Sequence, residues 1–564
     1  MSTFFIIAIV VIAFIFYHLL TRERKKLKKF REEWASGIFS SPEADLNSIS
    51  SYWFNKKKQL KVYDGVDELT WADLGMNEVF KKLNYTQSSV GEEYLFNELR
   101  AIDPNKKESN EALYSLLTEN VNLREKILLI LSDLGKENYT NSSSYFFDFK
   151  EIEIKKTYMY VILALLPIAS LLFLFISIKY GILSFIGSLI LNGIIYYRNK
   201  TKIENNLHSV GYAAAIIFAG KRIAFLKDLM LMPYIDGLKK SVQPLKKVVT
   251  FNRIATLGSG GSGEFDLLLE YVRILFLLDF ISYNKIFKTI SAHQKEYEEV
   301  WTLVGKLDAA IAVSYYRNTL DTYCTPTFTD QEVLTFEKMA HPLLVKPVLN
   351  SSHLRKSTLI TGSNASGKST YIKAVAINAI LAQTINTAIA KSWTMKPSYI
   401  VTSMAVQDNV LNGDSYFIAE IKSLQRIIRL ITEGKPCISF IDEILKGTNT
   451  IERIAASASI MEWLSLNKGI NLLATHDIEL TEIAESIYDN YHFREKVEGG
   501  EVQFDYKIHD GPSISRNAIK LLEILGYPDE ITKRSNVLAQ NFTVHRTWEA
   551  LKGRENSIDS LLKE

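Results

Sequence analysis

The residues with the clearest capacity for chemistry form the segment Gly362–Ser369, which reads GSNASGKS. It matches the pattern G-x-x-x-x-G-K-[ST], in which glycines let the backbone wrap closely around phosphate and helix-start amides point at the anion. In this pattern the Lys368 amine reaches the β- and γ-phosphates of a nucleotide, and the Ser369 hydroxyl is a ligand of Mg²⁺. The apolar residues Ser357–Ile360 predict a strand before the loop, and a helical pattern follows it. The segment therefore predicts a phosphate-binding loop.

Two acidic residues follow a second apolar run. The segment Cys437–Glu443 reads CISFIDE and places Asp442 at the tip of a predicted strand, where it can hold the Mg²⁺ shell. Glu443 beside it is placed to orient or deprotonate an attacking water. A third run, Asn471–Ala474, leads to His476, which at a strand tip could sense the γ-phosphate, although a lone histidine is more often structural. With Lys368, these residues are the candidate catalytic groups of a nucleotide hydrolase.

The elements that position these residues change in character along the chain. From about residue 346, short apolar runs without alternation are interleaved with helical patterns, which is typical of a parallel sheet covered on both faces. Residues 21–156 and 198–345 have few prolines and many apolar repeats of three and four residues, which predicts helices. We therefore expect an α/β domain with a mostly parallel sheet, preceded by an all-α region.

Two apolar blocks predict membrane spans. Ser2–Leu20 is long enough to cross a bilayer, and the basic run Thr21–Arg31 follows it, so we expect an uncleaved anchor with a cytoplasmic basic flank. Thr157–Tyr197 is broken only by Lys179, which predicts a hairpin of two spans; a pair of buried helices in a soluble core is the alternative. The stretch Leu267–Ile281 contains three charged residues and predicts a core helix instead. These patterns predict a multi-pass protein of the cell inner membrane with its α/β domain in the cytoplasm.

The expected fold class is an α/β P-loop NTPase domain preceded by an all-α core or lever domain and three transmembrane helices. Its parts are a transmembrane anchor (1–20), a first helical region (21–156), a transmembrane hairpin (157–197), a second helical region (198–345), the P-loop domain (346–545) and a C-terminal tail (546–564).

Composition and charge exclude several classes of protein. The chain of 564 residues has a net charge of +3, which does not suggest a nucleic-acid coat over the whole surface. Cys324 and Cys437 are far apart, which excludes a disulfide framework and a metal-site spacing and fits a reducing compartment.

Taken in order, the motifs resemble those of the MutS family of ATPases. The loop TGSNASGKSTY at 361–371 is similar to the family's TGPNxxGKSTY, and FIDEILKGTNT at 440–450 is similar to its DEIGRGTST. The segment LLATHDIELTEI at 472–483 is similar to ATHYxELT, and NGDSYFIAE at 412–420 to SxFxxE. The stretch 504–535 resembles the family's C-terminal region, and a weaker likeness extends upstream over His341–Leu343, Leu303–Ala312 and Asp67–Arg100. The resemblance implies that the cytoplasmic helices are a core and lever that carry ATP-driven motion.

The resemblance also implies roles for matching residues, with ATP and Mg²⁺ as cofactors. The loop residues expected to bind the nucleotide phosphates are Gly362, Ser363, Asn364, Ala365, Ser366, Gly367, Lys368, Ser369 and Thr370. Ser369 and Asp442 would complete the metal site, and Tyr506 falls where the family places an aromatic ring on adenine. Val348 and Leu349 would line the other side of the base. Ser415 would reach the nucleotide of a neighbouring subunit, which implies a homodimer with composite ATP sites.

Departures from the family leave the cargo open. In mismatch-repair members a separate N-terminal domain wedges an F-x-E aromatic into the duplex, and no convincing F-x-E precedes the core-like region here, so we expect a membrane-anchored variant without mismatch recognition. The hairpin also interrupts the core, and Lys446 replaces the family's arginine. One hypothesis is a membrane-anchored ATPase that binds mismatched or structured DNA, with phosphate contacts from Thr21–Arg31 and the lever helices. The other is an ATP-driven membrane or protein-assembly switch without nucleic acid. An exporter of the ABC type is disfavoured, because no LSGGQ-like segment precedes the acidic pair. An inert scaffold is disfavoured as well, because the site residues are intact.

Overall fold

The computed structural model describes residues 21–39, 45–60, 65–105, 109–147, 157–255, 264–363, 366–404, 416–446, 448–498, 501–513 and 518–551. The chain divides into two compact units. The first contains the residues up to Phe328 together with 377–393 and 397–400, and the second contains 329–376, 394–396 and the chain from 401 onward. The expected anchor Ser2–Leu20 lies outside the described residues.

The first unit is built mainly of helices, as the sequence pattern predicts for 21–156 and for most of 198–345, whereas Thr327–Phe328 and Leu334–Met339 at the end of the second range are strands and correct that prediction. The helices are α1 (21–36), α2 (Leu46–Ile49), α3 (Ser51–Leu60), α4 (Glu68–Asp73), α5 (Met76–Leu83), α6 (Ser89–Arg100), α7 (Glu111–Glu119), α8 (Val121–Leu134), α9 (Thr157–Ser170), α10 (Ile178–Ala224), α11 (Met232–Val242), α12 (Lys246–Ala255), α13 (Glu264–Leu275), α14 (Leu278–Ala292) and α15 (Gln294–Asn318), with 3₁₀ turns at Ser142–Phe146 and Leu171–Phe175. Several of these helices are capped at their N-terminus by a side chain: an oxygen of Asp67, Ser88 or Asn120 accepts a hydrogen bond from an otherwise unpaired N–H of the first turn.

The core of this unit forms around α15, which packs against α6. A Cβ added at Gly91 of α6 would lie 2.2 Å from Oδ2 of Asp308 in α15, so glycine at this position lets the two helices approach closely. The buried Asp308 carboxylate accepts the N–H groups of Gln87 and Ser88, both at 2.9 Å, and so ties α15 to the start of α6.

The apolar block of the first unit forms a helical hairpin of α9, the 3₁₀ turn Leu171–Phe175 and α10. In the part of the chain that the structure describes, two segments are long and apolar enough to cross a membrane, Thr157–Phe175 and Ile178–Thr201, by length and composition. Only 17% of each 18-residue window is buried, whereas a soluble core helix would be mostly buried. Of the three predicted spans, the two of the hairpin are therefore matched by candidate helices, and the anchor is not tested. Because α10 continues unbroken to Ala224, over about 70 Å, it passes the expected domain boundary at 197 without interruption.

The stretch Leu267–Ile281, expected as one core helix, is divided between α13 and α14. Leu277 separates the two helices with a φ of +53°, in the left-handed region. Phe280 in α14 is buried, as expected, but Leu267 and Tyr271 in α13 are exposed. The prediction of a core helix therefore holds only in part for α13: Ile274 is buried, whereas one apolar face of the helix is exposed and Arg273 is turned inward.

The basic run in α1 docks onto other helices of the same unit. Lys26 Nζ lies 2.7 Å from the Asp133 carboxylate, and Arg31 makes two hydrogen bonds to Glu125, at 2.7 and 2.8 Å. These two cations are therefore engaged by protein carboxylates.

The remaining elements follow Thr329. They are β2 (Leu334–Met339), β3 (Asn350–Leu354), β4 (Thr358–Thr361), α16 (Lys368–Ile385), β5 (Ser392–Met395), β6 (Tyr399–Ser403), α17 (Tyr416–Thr432), β7 (Cys437–Asp442), α18 (Thr450–Leu466), β8 (Ile470–Ala474), α19 (Glu479–Ile483), β9 (Asp489–Glu498), β10 (Glu501–Asp510), α20 (Ala518–Ile524) and α21 (Asp529–His545), with the short β1 (Thr327–Phe328) before them. The three strands predicted from apolar runs are β4, β7 and β8.

A six-stranded sheet with the order β10-β9-β4-β8-β7-β6 positions the candidate residues. The strand β4 pairs in parallel with β8 and β9, β7 pairs in parallel with β8, and β9 and β10 form an antiparallel hairpin. Ile360 and Asp442 both pair with Ala474. Because the carboxyl ends of parallel strands meet at one edge, the loops after β4, β7 and β8 lie side by side.

Candidate nucleotide-binding site

The glycine loop begins where β4 ends, and its backbone has room only for glycine. Gly362 has a φ of +141°, and a Cβ added there would lie 2.7 Å from the carbonyl oxygen of Phe493. The Ser366 hydroxyl donates to the carbonyl oxygen of Ser363 at 2.7 Å, and the Ser363 hydroxyl donates to Glu495 at 2.6 Å. The loop is thus folded back on itself ahead of α16. Glu495 was not among the residues expected from the sequence.

Lys368, the first residue of α16, points back into the loop. Its ammonium group donates to the carbonyl oxygens of Gly362 at 2.6 Å and Ser363 at 2.8 Å, and the residue is only 3% exposed. Burial lowers the pKa of Lys368 to about 8, and the nearby carboxylate of Asp442 acts in the opposite direction. An anionic ligand bound beside this amine would favour its charged form and raise its pKa.

The acidic pair after β7 sits on a bend in the backbone. Glu443 and Leu445 have φ values of +62° and +57°, a conformation that non-glycine residues rarely adopt and that is concentrated at functional sites. The Glu443 N–H donates to the carbonyl of Ala474 at 2.9 Å, which holds the bend against the end of β8. Asp442 ends the strand itself.

The Glu443 carboxylate is contacted by a lysine and a histidine side chain. Lys446 Nζ lies 2.5 Å from Oε2, and His476 Nδ1 lies 3.4 Å from Oε1. The neighbour of the histidine, Asp477, accepts two hydrogen bonds from Arg453, at 2.7 and 3.0 Å. The structure therefore brings the expected Glu443 and His476 together and adds Lys446 and Arg453, which motif spacing did not reveal.

A buried carboxylate of α17 contacts the turn that follows β7. Glu420 of α17 is buried, and its Oε1 accepts the backbone N–H of Lys446 at 3.1 Å. The acidic residue of the segment 412–420 thus contacts the turn after β7. Ser415 in that segment lies outside the described residues, as do Asn364 and Ala365 of the glycine loop.

Tyr506 lies beside the glycine loop at the mouth of an adjacent cavity. An added Cβ at Gly367 would be 3.1 Å from Tyr506 Cδ1, and a cavity of about 240 Å³ opens between these residues and the segment before β3. Val348 lines this cavity, whereas Leu349, expected beside it, is exposed and not among the lining residues. Thr370 lines it as well. The cavity adjoins the phosphate loop, as a base site would.

Asn350 holds the strand that carries Tyr506. The register of β10 shifts between Phe504 and Ile508, and Tyr506 there has a φ of +53°. Asn350 Nδ2 donates to the Tyr506 carbonyl at 3.0 Å, and its Oδ1 accepts the Ile508 N–H, also at 3.0 Å. A single amide side chain thereby replaces the sheet hydrogen bonds that the bulge removes. No sequence motif marked this residue.

The residues present fit a magnesium nucleotide. Lys368 supplies a buried cation beside main-chain amides, Ser369 is half-buried, and Asp442 lies near enough to Lys368 to act on its charge. Among the residues that the structure describes, no group of three or more His, Cys, Asp or Glu side chains could hold a metal ion. Mg²⁺ usually takes one or two protein ligands together with substrate phosphates.

Fold and site together define a mixed α/β protein with a glycine loop at the carboxyl edge of a parallel sheet. The family model of MutS domain V matches residues 358–543, which contain the loop, the acidic pair, His476 and Tyr506. A DNA mismatch repair protein MutS of Streptococcus suis is 32% identical over 229 residues, covering 38% of this chain and 27% of the relative. A protein of the same name from Staphylococcus epidermidis is 29% identical over 284 residues, covering 47% of this chain and 32% of the relative.

These matches confirm the resemblance to the MutS family drawn from the motifs, and they support a MutS-like family member. The chain spans about a third of the length of the curated relatives it matches. The likeness is thus concentrated in the second unit.

Proposed function

We propose that this MutS-like protein is a membrane-tethered ATPase that binds ATP with Mg²⁺ and hydrolyses it between two copies of the chain. The observation that carries the proposal is the Lys368 ammonium, buried under the glycine loop that follows β4, while Glu443 and His476 follow the neighbouring strands β7 and β8 of the same parallel sheet. The match to MutS domain V supports the same conclusion.

Each residue has a definite part in this proposal. The loop amides and Lys368 bind the β- and γ-phosphates, and Ser369 and Asp442 hold Mg²⁺. Magnesium, when bound, offsets the negative charge of these phosphates. Glu443 accepts a proton from the attacking water, and His476 responds to the γ-phosphate. The adenine ring lies against Tyr506, in the cavity that Val348 lines.

The contacts of Glu443 imply that it changes partner during turnover. With Lys446 Nζ 2.5 Å away, one carboxylate oxygen is already occupied by a cation, which weakens it as a base. Binding of the triphosphate near Lys368 and Lys446 offers this cation another anion, so that Glu443 is released toward water. Hydrolysis then restores the pair.

The test compares Glu443→Gln with Glu452→Gln, a carboxylate in the first turn of α18 outside the site. In detergent-purified protein, Glu443→Gln is expected to lower phosphate release at least about 100-fold and to retain ATP binding, because only proton acceptance is lost. Glu452→Gln is expected to hydrolyse normally. An unchanged rate in Glu443→Gln refutes the role of this residue, and absence of ATPase activity in the unmodified chain refutes the enzyme.

Pairing of two chains rests on the family resemblance at Ser415 and on the dimeric character of the family. ATP-loaded Glu443→Gln protein is expected to run as a dimer in light scattering, while the nucleotide-free form dissociates. Ser415→Ala is expected to lower dimer formation without lowering the affinity of one chain for ATP. A monomer at saturating ATP would contradict the composite site.

The membrane tether is supported by the two exposed apolar helices of the hairpin. Segments of this length that are only 17% buried leave most of their side chains without protein cover, which lipid would supply. We place the protein in the inner membrane with the ATPase domain in the cytoplasm. Full-length protein is expected to stay in the membrane pellet after an alkaline carbonate wash; release by that wash would contradict the proposal.

DNA binding is one candidate use of the ATP-driven motion, supported by the names of the relatives. The second candidate, a membrane or protein-assembly switch without nucleic acid, is favoured by the ion pairs of Lys26 and Arg31, which commit these cations to Asp133 and Glu125. Arg24 and Lys25 in the same run are exposed. Retention on duplex DNA at several salt concentrations distinguishes the candidates. If DNA is bound through this run, Arg24→Gln/Lys25→Gln is expected to reduce the salt slope by about 2; no retention at any salt, with or without ATP, leaves the second candidate.

A further inference from the structure

The helix α13 exposes apolar side chains, whereas a surface helix of a water-soluble protein turns its apolar face toward the core. Its side chains Leu267, Leu268, Tyr271 and Val272 are between 37% and 62% exposed and form one face. Its Arg273 side chain turns the other way, where it lies 3.3 Å from Asp279 and 3.5 Å from Glu270. Exposing an apolar face while tucking a charged side chain inward is unfavourable in water.

This apolar face continues the apolar surface of the hairpin. The helix α13 packs against α10, whose span also exposes apolar side chains such as Ile190 and Ile194. At its end, Asn192 of α10 donates to the carbonyl oxygens of Leu275 and Leu163, both at 2.8 Å, and is fully buried. The contact ties α13 to both arms of the hairpin.

The hydrogen bond between Asn192 and the Leu275 carbonyl also fixes the depth of the C-terminal end of α13 along the candidate span. Asn192 lies nine residues before Thr201, the end of the candidate span, so the Leu275 carbonyl meets it about 14 Å inside that end. A helix carbonyl at such a depth finds no water and requires a hydrogen-bond donor from the protein, which the Asn192 amide provides. Tyr196, one turn nearer the end, donates to Asp279 at 2.6 Å and so satisfies the charged group there.

We propose that α13 is a third membrane-embedded element of the described chain: a short interfacial helix whose face of Leu267, Leu268, Tyr271 and Val272 lies in the hydrocarbon of the leaflet at the basic end of the hairpin. The occupant of this face is lipid, because the face is continuous with the lipid-exposed hairpin and its level lies within the span. The inference rests on the proposed membrane hairpin. It makes α13 and the turn into α14 the place where the bilayer meets the helical unit.

The test uses an environment-sensitive NBD label on single cysteines in a Cys324→Ser/Cys437→Ser background of the full chain. The labelled positions are Leu268→Cys in α13, Leu165→Cys at the middle of α9 as the hairpin probe, and Val121→Cys, an exposed apolar position at the start of α8, as the matched control. Each protein is reconstituted into phosphatidylcholine vesicles containing lipids with a nitroxide at carbon 5 or carbon 12 of one chain. Gel filtration before labelling verifies folding, and Tyr271→Cys replaces Leu268→Cys if the latter does not fold.

The label at Leu268 is expected to show a blue shift and a larger loss of fluorescence with the carbon-5 nitroxide, whereas Leu165 is quenched more by carbon 12 and Val121 by neither. Quenching at Leu165 without quenching at Leu268 overturns the assignment of α13 and leaves the hairpin in place. A blue shift at Leu268 without quenching means that protein covers the face, which also overturns it. Quenching at neither position refutes the membrane hairpin itself.

Discussion

Replacing Asn350 with alanine tests whether the β10 bulge holds the base cavity open. The amide makes two hydrogen bonds of 3.0 Å, one to the Tyr506 carbonyl and one from the Ile508 N–H. Each contributes about 1 kcal/mol net, so the variant loses about 2 kcal/mol of restraint on this segment. If the bulge must re-form before the base can bind, the affinity for ATP falls by up to about 30-fold, since 1.4 kcal/mol is tenfold.

The assay compares two ligands by isothermal titration calorimetry of the full chain in detergent. In the proposed site, tripolyphosphate would contact only the glycine loop, whereas ATP would also occupy the cavity beside Tyr506. Asn350→Ala is therefore expected to weaken ATP and to leave tripolyphosphate unchanged. Ser351→Ala is the matched control, because the neighbouring Ser351 hydroxyl accepts the Lys338 N–H at 2.9 Å and does not line the cavity.

The reasoning is refuted by either of two results. Equal weakening of both ligands by Asn350→Ala would mean that the residue supports the phosphate loop and not the base cavity. An unchanged affinity for both would mean that the bulge keeps its shape without the amide. Loss of ATP affinity in Ser351→Ala of the same size would show that any weakening of β3 has this effect.

Three further predictions concern the loop, its lysine and the helical unit. The pKa of Lys368 is about 8 before ligand binding, and phosphate favours the charged amine. The affinity for ATP should therefore be constant below pH 8 and fall by up to about tenfold per pH unit above it, with proton uptake measured by calorimetry in two buffers. Binding that is independent of pH up to pH 9 would contradict this prediction. Gly362→Ala should destabilise the second unit by at least about 2 kcal/mol in urea unfolding, because the added Cβ would lie 2.7 Å from the Phe493 carbonyl oxygen. Gly434→Ala, at a φ of +72° with open space around it, should cost about 1 kcal/mol. Equal losses of stability would exclude the clash as the cause. Arg317→Lys should lower the stability of the first unit by about 2–4 kcal/mol, because the buried guanidinium donates to both Glu111 oxygens and to the Asn386 carbonyl. Lys28→Arg at the exposed pair with Glu32 in the same unit should change that stability by less than about 0.5 kcal/mol, and similar urea midpoints for the two variants would refute the claim.

Local patterns in the sequence were sufficient for the strands and loops of the second unit. The apolar runs that become β4, β7 and β8 each have a length and flanking turn residues that favour a buried strand. Since parallel strands end at a common edge, the residues Lys368, Asp442 and His476 could be expected together without any coordinates. The roles given to them remain predictions.

The sequence by itself determined the phosphate loop, the acidic pair, the helical first unit and the two apolar arms of the hairpin, because each depends on residues close together in the chain. Tertiary structure alone decided that Lys446 reaches Glu443, that Asn350 supports Tyr506 more than 150 residues away, and that Glu495 binds Ser363. It also decided the orientation of α13: three charged residues in an apolar stretch favoured a core helix, but Asp279 holds Arg273 inward, Asn192 binds the Leu275 carbonyl, and Leu267 and Leu268 are left outside. Which face of a helix is buried is set by the partners available in three dimensions, and periodicity along one segment does not contain them.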